Sequence, residues 1–205
     1  MKKIFPYFGM SAPIVYLATV LIGGILNSGY NHIYNSVSEL TMTGAPNSII
    51  LFIMFGIYNL LLVLFGFMGM IYLARLSIRT VFLLLGICGL LGIVMLAAGQ
   101  DPRGQEFSAG GVLHIIAAGI TALLSIITPI VAGVSKRNIT GMGVYIKISF
   151  MLAVFIFVSG GLTSVAFGSG WPSGGLMERF TIGFFLLWVF ITGYFSTRFQ
   201  LRTLE

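Results

Sequence analysis

Six unbroken apolar stretches leave this chain little freedom over what it can be. They lie at about 6–26, 48–74, 81–99, 112–134, 144–167 and 176–196 of its 205 residues. A helix needs about 20 apolar residues to cross a bilayer core. In lipid every backbone polar group must be satisfied internally, so spans are helices or the strands of a closed barrel. These stretches are continuous rather than alternating, which argues against a barrel. Only 8% of the residues are charged, against about 25% in a soluble domain. That composition excludes a soluble enzyme, a nucleic-acid-binding module, a disordered chain and a disulfide scaffold. The expected fold is all-α: one domain, 1–205, of six transmembrane helices. Lys2 and Lys3 ahead of the first stretch resemble a signal peptide. The stretch is too long for one and no small-x-small cleavage site follows, so a retained first helix is expected.

Charge sets the expected orientation. Of the eleven Lys and Arg residues, nine (Lys2, Lys3, Arg75, Arg79, Lys136, Arg137, Lys147, Arg198 and Arg202) fall on one side of a six-span arrangement. Only Arg103 and Arg179 fall on the other. The positive-inside rule then places both termini in the cytoplasm, with the protein in the cell membrane. The net charge of +6 reads as this topology signal plus attraction to anionic lipid. The basic residues come in dispersed pairs with no stripe, so no nucleic-acid partner is expected. The single cysteine, Cys88, lies mid-helix and reads as a packing residue.

The acids segregate the other way. Glu39, Asp101, Glu106 and Glu178 are all outer, as are His32 and His114, leaving only Glu205 inside. In the first outer loop, 27–47, Ser36-Val37-Ser38-Glu39 fits a capping box opening a short helix. Gly44 and Pro46 would end it, and Asn47 would cap helix two. That short helix either lies on the membrane or folds back over the bundle. Thr80 is the expected cap of helix three and Ser108 that of helix four, with Asp101-Pro102 as a turn. Asn138-Ile139-Thr140 matches a glycosylation sequon on the side expected to be cytoplasmic. Small residues at Gly86, Gly89 and Gly92, and at Gly160, Ser164 and Gly168, allow close helix contact. Asn59 reads as an interhelical hydrogen-bonding group, and Pro129 as a kink in helix four.

The outer polar set of His32, Glu39, Asp101, Arg103, Glu106, His114, Glu178 and Arg179 comes from three loops or helix ends that a compact bundle gathers together. His114, near the end of a membrane helix, reads either as a neutral ligand or proton carrier, or as an interfacial histidine bonded to a loop. Membrane-edge acids are functional candidates by default. Yet Asp101 also suits a turn, Glu39 a cap and Glu178 the positive end of a helix dipole. Arg103 and Arg179 pair with acids or grip a phosphate or carboxylate. His32, His114 and two acids would suffice for a metal, but no H-x-x-x-H or H-E-x-x-H spacing is present. No cofactor is expected. No serine stands in G-x-S-x-G.

The order of these pieces resembles a family of six-helix prokaryotic membrane proteins catalogued as domain of unknown function 998. The resemblance rests on Pro13, Ser36-Val-Ser-Glu39-Leu and Gly44-Ala-Pro46. It continues through Asp101-Pro102, Ser108-Ala-Gly-Gly-Val-Leu-His114 and Gly175-Leu-Met-Glu-Arg179, and it covers all six spans. It implies the six-helix fold and no assigned reaction. The family is more distantly similar to the Frag/DRAM/Sfk group, some of whose members are linked to lipid handling, an analogy of fold only. Where many relatives have a neutral amide before the helix-six arginine, this chain has Glu178.

Three functions are consistent with these residues. The outer cluster binds or modifies a lipid or small amphiphile; or the chain is a non-enzymatic scaffold or regulator of a protein partner or of its own copy; or it transports a small solute. The orientation is checked with fusions. Alkaline phosphatase joined after Gly104 should be active and the same enzyme after Arg198 inactive; the reverse pattern would invert the topology.

Overall fold

The computed structural model describes residues 2–73, 76–135 and 141–202. Arg75, Lys136, Arg137 and the Asn138 sequon lie outside these. The helices are α1 (Phe5–Leu26), α2 (Ser48–Tyr72), α3 (Leu76–Ala98), α4 (Ala109–Ser135), α5 (Gly143–Ser169) and α6 (Gly174–Arg202). A 3₁₀ turn, Val37–Thr41, interrupts the long loop between α1 and α2. Six helices are long and apolar enough to cross a membrane, and no strand occurs among the described residues. The chain is a multi-pass membrane protein.

Each helix packs on its neighbours in sequence and α6 closes on α1, so the bundle is a ring. Six antiparallel spans bring both termini to one end, beside Lys2, Lys3, Arg79, Lys147 and Arg198. The opposite end carries the loops 27–47, 99–108 and 170–173. At the terminal end the ring is filled by fully buried aromatic side chains. Phe5, Phe65 and Phe82 pack with ring centroids 5.1–6.1 Å apart. Trp188 is fully buried and donates to Ser149 Oγ at 3.0 Å, joining α6 to α5.

The tightest seam is between α2 and α3, and glycines make it. Gly86, Gly89 and Gly92 all face α2, as the spacing suggests. A Cβ on Gly89 would lie 2.8 Å from the Val63 backbone nitrogen. Their counterparts Gly66 and Gly69 on α2 complete the seam. On α5 the spacing misleads: a Cβ on Gly168 would meet nothing and one on Gly160 only Thr181 at 3.5 Å. Those positions are not a close seam, because Ser164 and Gly168 face away from the neighbouring helices and are exposed.

Two capping expectations and one hydrogen-bonding expectation are also corrected. Thr80 lies within α3, which starts earlier, and its hydroxyl bonds the Leu76 carbonyl at 3.3 Å. Asn47 stands at the start of α2 with a left-handed φ of 55°. Its amide instead donates to the Leu26 carbonyl at the end of α1, 3.1 Å away. Asn59 makes no side-chain hydrogen bond among the described residues; it lies against Gly92 and lines a small internal cavity. Pro13 and Pro129 both sit inside continuous helices.

A Gly66→Ala change puts a methyl into the backbone of Gly86 and Phe82. It should lower stability by about 1–3 kcal/mol, the usual cost of overpacking. Gly56→Ala, whose methyl meets nothing, should be neutral or stabilising, because alanine is the better helix former. Melting curves of the two variants in detergent decide it.

Candidate functional site

The loop end of the ring is stoppered by the chain's own first loop. Asn31 and Asn35 fold it: the Asn31 N–H donates to Asn35 Oδ1 and the Ile33 N–H to Asn31 Oδ1, both at 2.8 Å. The capping box then forms, Glu39 Oε1 accepting the Ser36 N–H at 3.1 Å. The result is the short 3₁₀ helix Val37–Thr41, folded back over the bundle. Its apolar residues Val37 and Leu40 point into the ring against Val20, Leu51 and Phe55. Tyr30 donates to the Ser36 carbonyl at 2.8 Å; burial pushes its hydroxyl up to about 12 despite Arg179 beside it.

Two adjacent residues of α6 hold this stopper. Glu178 accepts the Val37 N–H at 2.7 Å, satisfying an orphan donor of the 3₁₀ turn. Arg179 donates to the Asn35 carbonyl at 2.9 Å, to the Gly175 carbonyl at 2.7 Å and to the Tyr30 hydroxyl, and lies over the Tyr30 ring. Its Nε is buried without a partner among the described residues. Gly175 permits this approach, since a Cβ there would collide with the Asn35 carbonyl. The dipole reading of Glu178 is therefore incomplete: its carboxylate caps another element.

The second loop is built on Asp101. Its carboxylate accepts the Ser108 N–H and hydroxyl, each at 2.8 Å, and the Ser108 hydroxyl accepts the Gly111 N–H at 3.0 Å, capping α4 as expected. Arg103 reaches across to Glu39 at 2.5–2.8 Å, with side-chain exposures of 54% and 6%. It also donates to the Tyr34 carbonyl at 3.1 Å and lies over the Phe167 ring of α5. Glu39 further accepts from Asn35 at 2.5 Å.

Between these ties remains a cavity of about 420 Å³. Glu39, Asp101, Arg103, His114 and Glu178 line one part, and Phe107, Ile115, Ala118 and Phe167 another. Ile115 of α4 and Phe107 of the second loop are also exposed, at 52% and 69%. His114 is 7% exposed and hydrogen-bonds the Met95 carbonyl through Nδ1 at 3.0 Å. A carbonyl only accepts, so Nδ1 carries a proton, and in the neutral imidazole Nε2 keeps its lone pair. His114 also lines an inner cavity of about 90 Å³, with Tyr16, Tyr58 and Asn59.

Of the residues singled out from sequence, Glu39, Asp101, Arg103, His114 and Glu178 thus share one cavity. Arg179 does not line it; it is spent holding the stopper. His32 stands apart, packed on Gly24 and edge-on to Tyr30. Burial, with Arg179 second, holds its imidazole below the usual range. Glu106 is exposed. No three His, Cys, Asp or Glu side chains among the described residues are placed to hold a metal ion. Phe107 and Phe167 had no sequence signal, being two phenylalanines among 18.

The family described as protein of unknown function (DUF998) matches residues 10–194, the family that the ordered motifs resemble. No curated protein matches the chain, and no solved structure does.

Removing the charged hydrogen bonds of Arg179 should free the stopper. Arg179→Ala should cost about 2–3 kcal/mol, the range for bonds to a charged group whose partners are left buried. Glu106→Ala should stay within about 0.5 kcal/mol. Equal melting temperatures for the two variants would contradict this role.

Proposed function

The chain belongs to the DUF998 family, whose description names no reaction, and we propose that it binds or modifies a lipid or small amphiphile in the cavity at its loop end. The observation that carries this is the cavity's two-sided wall. At about 420 Å³ it is within the usual range of small-ligand sites, about 300–1,000 Å³. Charged groups and His114 line one part. The other is apolar and includes two exposed side chains, Ile115 and Phe107, as suits an amphiphile with one polar end.

In this reading the termini are cytoplasmic, the protein sits in the cell membrane, and the cavity opens near the outer leaflet. His114 presents a lone pair through Nε2, Asp101 and Glu178 present carboxylates, and Ile115, Ala118 and Phe167 receive the apolar part. Glu39 and Arg103 shape the wall as a closed pair. A scaffold role is the second reading. It is favoured by the fact that many of the polar groups bond one another: Arg103 to Glu39, Asp101 to Ser108, Arg179 to Asn35.

Native mass spectrometry of the protein released from lipid nanodiscs separates the two. Wild type should retain a lipid adduct that His114→Ala loses, with the variant's melting temperature lower by no more than a few degrees. Equal adducts on both, or bare protein in both, would favour the scaffold.

A further inference from the structure

We infer that the head group the cavity accepts is a primary ammonium, which rests on the cavity reading above and narrows it. Three carboxylates line the cavity (Glu39, Asp101 and Glu178) against a single guanidinium, Arg103. Glu39 and Arg103 form an ion pair and cancel. Arg103 spends its remaining contacts on the Tyr34 carbonyl and the Phe167 ring. Among the described residues that line the cavity, no uncommitted cation therefore remains to meet a phosphate or carboxylate; Arg179, whose Nε is unpartnered, does not line it.

The acceptors are in the opposite state. A carboxylate offers about four lone-pair sites. Asp101 uses two on Ser108 and Glu178 uses one on the Val37 N–H. Neither has a protein cation at ion-pair distance among the described residues. The independent observation is His114. It is 7% exposed and its Nδ1–H is spent on the Met95 carbonyl, so Nε2 has no partner among the described residues. As a neutral imidazole, His114 offers a nitrogen lone pair in that wall, which calls for a donor. Charge and hydrogen-bonding thus ask for the same thing: a cation bearing N–H groups.

The sign of the site also runs against the molecule, whose net charge is +6. Acids in a membrane-edge cavity are costly unless paired, and a bound ammonium would offset that cost. A bare metal ion fits less well, because no three His or acid groups converge to hold one. A trimethylammonium carries the charge but offers no N–H to His114 or the carboxylates.

The test uses the full chain in a neutral detergent and reads dissociation constants by calorimetry for dodecylamine, dodecyltrimethylammonium, dodecyl phosphate and ethylamine. Dodecylamine should bind at least about tenfold more tightly than dodecyl phosphate, with the trimethyl compound between them; about tenfold is the weight of one good polar contact. Glu178→Gln keeps an acceptor for the Val37 N–H, removes the charge and turns the second acceptor oxygen into an N–H donor. It should weaken dodecylamine about tenfold, while its melting temperature falls by no more than a few degrees because the Val37 N–H keeps a neutral acceptor. Phosphate binding as tightly as the amine, or an amine affinity unmoved in both Glu178→Gln and His114→Gln, would overturn the ammonium assignment and leave the cavity reading standing. Binding of none of the four would overturn both. Ethylamine as tight as dodecylamine would support the ammonium site with a soluble amine as its source, and would sink the lipid reading.

Discussion

The arrangement of the loop end depends on two adjacent side chains, Glu178 and Arg179, reaching from the start of α6 to the backbone of the first loop. They meet it with opposite chemistry. The carboxylate takes an N–H of the 3₁₀ turn, and the guanidinium takes a carbonyl and a tyrosine hydroxyl just before it. Charged hydrogen bonds are about twice as strong as neutral ones, and the partners here are backbone groups that the membrane edge leaves little water to satisfy. The loop is therefore drawn into the ring, and Val37 and Leu40 become core residues.

From that tie the rest of the end follows. With the 3₁₀ turn seated, Glu39 is buried and needs a cation, which Arg103 supplies from the second loop. Arg103 then lies over Phe167 of α5. The second loop is fixed separately by Asp101 on Ser108 at the start of α4. The two loops thus meet at one ion pair rather than along a face. The space left between them, against α4, α5 and α6, is the cavity. It is a consequence of how the loops are anchored, at α6 and at α4, with α5 between.

His114 has a second kind of importance. It stands where the outer cavity and the small inner one meet, and its tautomer is set by a carbonyl of α3. The inner cavity exposes Asn59 and two tyrosines of α1 and α2 to the same imidazole. Toward the terminal end the ring is packed with Phe5, Phe65, Phe82, Leu62 and Leu85. Polar character thus fades from the loop end inward, as suits a site entered from one side.

The sequence by itself determined the number, placement and helical nature of the spans, because hydrocarbon thickness and backbone satisfaction leave one solution for long apolar runs. It also determined local caps, such as Ser36 with Glu39 and Ser108 at α4, since these bonds close within a few residues. The glycine seam was half legible: spacing on α3 was correct, while the same spacing on α5 faced open space, because spacing does not say which face meets a neighbour. The tertiary structure alone decided what each polar residue does. Arg179 and Glu178 are neighbours in sequence and both tie the stopper, yet only Glu178 also lines the cavity. His32 and His114 are the same residue type at the same end, yet one packs on Gly24 and the other lines both cavities. The first outcome depends on contacts across more than a hundred residues of chain, such as Glu178 to Val37 at a separation of 141, and the second on which helix or loop each histidine is packed against, so no local pattern encodes them.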